Sequence, residues 1–169
     1  MDNQNMSIKP IAINYGLYYA LFSVAIIIIL YATNMEKNFA IATINVLGTI
    51  AVFVLAIIAY KKTNNNYLTL GQALKTGLGT AAIGGLLVAI YTYLHYTYIQ
   101  PEFIDAMKQI QIIELQKQSA NMSSEDADAA MGMLDILSSA GFIATMSVIG
   151  SLIFGLIVSL ITGLVLKSE

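Results

Sequence analysis

Residues able to do chemistry are sparse in this chain, and their spacing narrows what they could do. His95 is the sole histidine and lies among Tyr91, Tyr96 and Tyr98. An imidazole working as a general base needs an orienting partner. No carboxylate stands near it in sequence, so it reads as an interfacial hydrogen-bonding residue, with pH sensing as the sharper alternative. Glu125, Asp126 and Asp128 form an acidic cluster that lacks the glycine and the alternating oxygen ligands of a calcium loop. The spacing Ser123-x-x-Asp126 instead resembles a capping box, and acids suit the positive end of a helix dipole. Gly77-Leu-Gly79-Thr-Ala-Ala82 echoes a dinucleotide fingerprint but follows no strand. Ser-His-Asp catalysis would have to recruit His95 and a distant acid such as Asp135 with no nucleophile motif. Asn5-Met-Ser7 and Asn121-Met-Ser123 match the glycosylation triplet, a frequent chance match. The absence of cysteine excludes disulfides, thiolate metal sites and a cysteine nucleophile. No catalytic, cofactor-binding or metal-ligating residue is assigned.

The elements that carry these residues are membrane elements. Of the 169 residues 57% are hydrophobic and 11% charged, where a soluble domain carries about 25% charge. Such a chain cannot tile a water-facing surface, which argues against a soluble enzyme, a disordered tail or a nucleic-acid binder. Four stretches contain no Asp, Glu, Lys or Arg: Ile11 to Ala32, Phe39 to Tyr60, Thr76 to Ile99 and Ala140 to Leu166. Each has the roughly 20 residues a helix needs to cross a hydrocarbon core. Continuous apolar runs such as Ala25 to Leu30 do not alternate as a barrel strand does. The expected fold is therefore an all-α membrane protein with four transmembrane helices in one integral domain, 1–169. The first stretch is too long for a signal peptide and no clean cleavage site follows it, so it reads as a retained span, with Pro10 at its start.

The connections differ in kind. Thr33 to Asn38 is tight, which makes the first two spans antiparallel neighbours. Lys61 to Leu70 is a polar turn whose Asn64, Asn65 and Asn66 tolerate tight backbone geometry. The segment from Gln100 to Ser139 holds seven acids and two lysines, net −5, against +3 for the rest of the chain. Pro101 can open a helix there, with Phe103, Met107 and Ile110 at helical spacing. A second helix starts at Ser123, its stripe continued by Met131, Leu134 and Leu137. These stripes either pack on each other and on the bundle or offer a surface to a partner. Lys9, Lys61, Lys62, Lys75 and Lys167 fall on one side of the expected membrane, and Lys37, Lys108 and Lys117 on the other. The lysine excess makes the first side cytoplasmic, with both termini inside and the acidic helical pair outside. The ten tyrosines gather near the ends of the spans, as interfacial rings do.

Helices in lipid approach closely where small side chains recur every four residues. The fourth span carries Ser147, Ser151, Gly155, Ser159 and Gly163; the third carries Gly77, Ala81 and Gly85. These rows predict a close seam between spans three and four, or alternatively a homo-oligomer through span four. Spans one and two are bulkier and expected to face lipid more. The spans hold no charge, which disfavours a driven transporter. Their polar groups are Asn14, Asn45, His95 and scattered Ser and Thr.

Several strings resemble one family. Lys9-Pro-Ile-Ala-Ile-Asn14-Tyr-Gly16, Asn65-Asn-Tyr67-Leu-Thr-Leu-Gly71-Gln72-Ala-Leu-Lys75-Thr-Gly77, Ile99-Gln-Pro101-Glu-Phe103 and Gly150-Ser-Leu-Ile-Phe-Gly155 look like the DUF4199 family of small Bacteroidetes membrane proteins. The resemblance covers nearly the whole chain. It implies a bacterial inner-membrane protein of four helices with a periplasmic loop between the third and fourth, and it carries no catalytic residue and no cofactor. Within the second string, Thr69, Gln72 and Lys75 are candidates for a headgroup or partner contact, or else a helix start with a snorkelling lysine. Glu125, Asp126 and Asp128 are the corresponding candidates outside. The leading expectation is a non-enzymatic accessory or envelope-associated protein acting through its acidic loop. Its partners would be the bilayer and either another protein or further copies of itself, not nucleic acid. A small oligomeric channel with a Ser/Gly-lined path is the alternative, and a membrane enzyme the third.

Overall fold

The computed structural model describes residues 6–35, 38–118 and 123–168. Lys37, Asn5 and Asn121, invoked above for orientation and glycosylation, lie outside the described residues. The described chain is all helical: α1 (Lys9–Thr33), α2 (Phe39–Thr63), α3 (Leu70–Leu94), a π-helical segment (His95–Ile99), α4 (Pro101–Gln118), α5 (Ser124–Leu137) and α6 (Ala140–Leu166). Four stretches are long and apolar enough to cross a membrane, Lys9–Thr33, Phe39–Thr63, Leu70–Ile99 and Ala140–Leu166. They point to a multi-pass membrane protein.

Local sequence explains where these helices begin and end. Pro10 sits in the first turn of α1, where a missing N–H costs nothing. Asn34 ends that helix in the left-handed region at φ 51°. There its N–H donates to Tyr31 O (3.2 Å) and that of Met35 to Leu30 O (3.1 Å), a Schellman closure. The Asn38 side chain caps α2, accepting from the N–H groups of Ala40 (2.9 Å) and Ile41 (3.2 Å). Helix α3 starts at Leu70, so six helical residues precede the charge-free stretch that begins at Thr76. Lack of charge marks a stretch that lipid tolerates, whereas a cap marks where a helix starts, and the cap here is Thr69. At the far end, Pro101 disfavours the α conformation in Gln100 (φ −136°, ψ 57°). The last turn then closes through Gln100 N–H to His95 O at 2.8 Å, the i to i−5 bond of a π turn.

The chain divides into two compact units, Met1–Val88 with Ser147–Glu169, and Ala89–Met146. The first is a helical bundle whose core joins Tyr19 and Ala20 of α1, Phe53 of α2, Ala81 and Val88 of α3 and Val158 of α6. The Phe53 ring lies 5.4 Å from Tyr19 and 6.4 Å from Phe154, centroid to centroid. A second cluster of Ile57, Tyr60, Leu68 and Ala73 packs with Ile8, Ile11 and Leu166. Helix α3 is the most enclosed, with half of its apolar window buried against 28% for α1, 22% for α2 and 33% for α6. In the second unit α4 and α5 are tied by Lys108 Nζ to Asp135 Oδ1 (2.6 Å) and by the Ser138 hydroxyl donating to Gln111 Oε1 (3.0 Å). Phe103 stacks on Tyr96 at 4.8 Å. Along the apolar stripes Phe103, Met107, Leu134 and Leu137 are half-buried, while Ile110 and Met131 are exposed.

Candidate functional site

Helix α3 meets neighbours on two faces, and small residues set both approaches. Toward α6, a Cβ placed on Gly77 would collide with the Ser159 hydroxyl, and one on Gly85 with that of Ser151. A Cβ on Gly155 would lie 2.8 Å from both Ala81 Cβ and Phe53 Cε1, and one on Gly163 2.8 Å from Ala73 Cβ. The Ser159 hydroxyl donates to Gly155 O, and that of Ser151 to Val148 O (2.8 Å) and Ala81 O (3.2 Å). Both serines are buried, and their hydroxyls are spent on backbone carbonyls. Ser147, the remaining member of the row, is half-buried.

Toward α1 lies a second seam that the four-residue ladders do not announce. A Cβ on Gly16 would sit 3.0 Å from Ile83 Cβ and 3.2 Å from Gly84 N; one on Gly79 would sit 3.0 Å from Ala12 Cβ. Its signal was present in the doublet Gly84-Gly85, which gives α3 one glycine for each neighbour. Among the described residues of this unit, Asn45 Oδ1 and Thr80 Oγ1 are buried without a partner.

The α2–α3 turn gathers the polar end of the same unit. Asn65 and Asn66 take left-handed φ of 53° and 60°, which asparagine tolerates better than most residues. The Asn64 amide donates to Tyr67 O (2.9 Å), and its Oδ1 accepts from Met6 N–H (3.4 Å). Ser168 is held from both sides: its N–H donates to Leu68 O (2.8 Å) and its hydroxyl accepts from Leu68 N–H (3.1 Å). Lys61 Nζ donates to Leu166 O at 2.8 Å, a cation on the negative end of α6. Thr69 and Gln72 form a reciprocal capping box, Thr69 N–H to Gln72 Oε1 (2.9 Å) and Gln72 N–H to Thr69 Oγ1 (3.2 Å). Together with Met6, Ile8, Tyr60, Gly71 and Lys75 they line a cleft of about 320 Å³.

In the second unit the π turn changes which residues meet. His95 is buried, and its Nε2 lies 3.2 Å from Gln100 Oε1. An amide oxygen only accepts, so Nε2 carries the proton and Nδ1 accepts from the Tyr91 hydroxyl at 3.3 Å. Both ring nitrogens are thus engaged by neutral groups, with Tyr96 edge-on at 5.1 Å. On α5, Ser123 accepts from Asp126 N–H (3.2 Å) and its hydroxyl donates to Asp126 Oδ2 (2.7 Å). Glu125 and Asp128 flank that cap and are exposed. Among the described residues no group of three His, Asp or Glu side chains could hold a metal ion.

The family described as "Protein of unknown function (DUF4199)" matches residues 14–168. No curated protein and no solved structure matches the chain.

Proposed function

The chain belongs to the DUF4199 family, and we propose that it is a non-catalytic protein of a bacterial inner membrane, with both termini cytoplasmic, acting through protein contacts of its acidic α4–α5 segment. One observation carries this reading. Helix α5 opens with exposed Glu125, Asp126 and Asp128 and continues with Met133 and Ile136, which remain 63% and 64% exposed. Large apolar side chains left open beside a charged rim are the usual makings of a protein interface. In the spans, by contrast, the Ser151 and Ser159 hydroxyls are bonded to backbone carbonyls, and Gly77, Gly85, Gly155 and Gly163 lie against neighbouring side chains. A photo-crosslinker at Met133 in living cells should capture one discrete protein, and a uniform smear or no adduct would count against the reading. Orientation is tested separately. Single cysteines at Asn65 and Asp126 in the otherwise cysteine-free chain should react with an impermeant maleimide only at position 126 in spheroplasts.

The second reading, a small oligomeric channel, has Asn45 in its favour, because a buried amide oxygen without a partner could face a polar path. Against it, the Ser/Gly row of α6 is packed on α3. Ion flux into liposomes that Asn45→Leu abolishes would favour the channel.

A further inference from the structure

Among the described residues every acid lies in the second unit, and the charged side chains of the first are Lys9, Lys61, Lys62, Lys75 and Lys167. Four of these sit at helix ends that meet the α2–α3 turn or follow from it. Lys75 is different because it opens onto the cleft. It is exposed and has no ion-pair partner among the described residues. The cleft mixes apolar Met6 and Ile8 with polar Thr69, Gln72 and Tyr60. Its polar walls are already set. Tyr60 donates to Met6 O at 3.2 Å, and Thr69 and Gln72 hold each other. Gly71 stands one turn before Lys75 on the same helix face, and a Cβ there would find nothing nearer than Thr69 Oγ1 at 4.0 Å. Helical side chains lean toward the preceding turn, so the Lys75 ammonium tends toward that uncovered backbone.

We propose that this cleft binds the phosphate headgroup of an anionic phospholipid. Its volume of about 320 Å³ stands at the low end of small-molecule pockets, about 300–1,000 Å³, which suits a headgroup and not a whole lipid. A phosphate supplies the counter-charge that Lys75 lacks, and the first turn of α3 adds the positive end of a dipole. Met6 and Ile8 offer apolar wall to the start of an acyl chain. Lys75 lies in the first turns of a membrane-length helix, the depth at which headgroups sit. This inference needs only the membrane placement and stands apart from the role proposed for α5.

The test uses the full chain in a nonionic detergent, with phosphatidylglycerol or phosphatidylcholine added and retention read by native mass spectrometry. Phosphatidylglycerol should be retained preferentially. A lysine near an anionic surface is worth about fivefold in affinity, so Lys75→Gln should lower retention by about that factor while Lys75→Arg preserves it. Gly71→Leu, whose Cβ would find nothing nearer than Thr69 Oγ1 at 4.0 Å and whose remaining atoms would take up cleft volume, should lower it too, and Lys62→Gln should not. Equal loss in Lys62→Gln would overturn the proposal in favour of a diffuse lysine belt. So would an absence of preference over phosphatidylcholine, or displacement of the lipid by inorganic phosphate alone.

Discussion

A Cβ added to Gly77 in α3 would strike the Ser159 hydroxyl, whereas one added to Gly132 in α5 would meet nothing within 4 Å. The same side-chain change is forbidden in one helix and free in the other. The reason is solvent. Lipid tails are as apolar as leucine, so helices among them gain little from burying large side chains and hold together by close backbone approach. The α4–α5 pair carries many charges and is joined by an ion pair and a serine-to-glutamine bond, with several large apolar residues still open. Packing in the first unit is therefore sensitive to volume, and packing in the second to charge.

That contrast can be broken in graded steps, with stability read as thermal aggregation in detergent. Gly155→Leu should be the most damaging, because the new side chain must displace Ala81, Phe53 and the Gly77 carbonyl together. Overpacking of a tight site costs about 1–3 kcal/mol and occasionally more, and here loss of folded protein is expected; a folded particle of smaller size would mean that the row joins separate chains. Gly77→Ala should cost about 1–3 kcal/mol by the same mechanism, and Ser159→Gly on the same chain should restore most of it. Failure of that rescue would remove the α3–α6 seam. Thr69→Ala should cost about 1 kcal/mol through loss of the α3 cap. Gly132→Ala should have the opposite sign, a gain of about 0.5–1 kcal/mol from reduced backbone freedom in an open helical position. Lys108→Gln should cost about 0.2–1 kcal/mol, less in high salt, because the pair with Asp135 is exposed.

What could be read from the residues followed from how far each signal reaches. A run of 20 uncharged residues is legible because a single requirement, solvation by lipid, acts on every position in it. The rows on α3 and α6 are legible as rows, since spacing by four places side chains on one face. The entry to α3 is legible in Thr69-x-x-Gln72, a cap signature in its own right, whereas the charge-free stretch begins only after Lys75. His95 is legible as a hydrogen-bonding residue, with Tyr91 one helical turn before it; its bond to Gln100 is not, because only the π turn imposed by Pro101 brings residues five apart together. The bonds from Ser168 to Leu68 and from Lys108 to Asp135 join residues 100 and 27 positions apart, and no local pattern reports such pairs.

The α2–α3 turn holds Met6 with one asparagine and Ser168 with the backbone of Leu68. Residues 6 and 168 are thus anchored to a single short loop, so a few glycines could bridge them. Cutting the chain anew between α4 and α5 would then give a circularly permuted protein that keeps each contact described above. Such a rearranged gene would ask whether the order in which the helices are made matters to how they assemble.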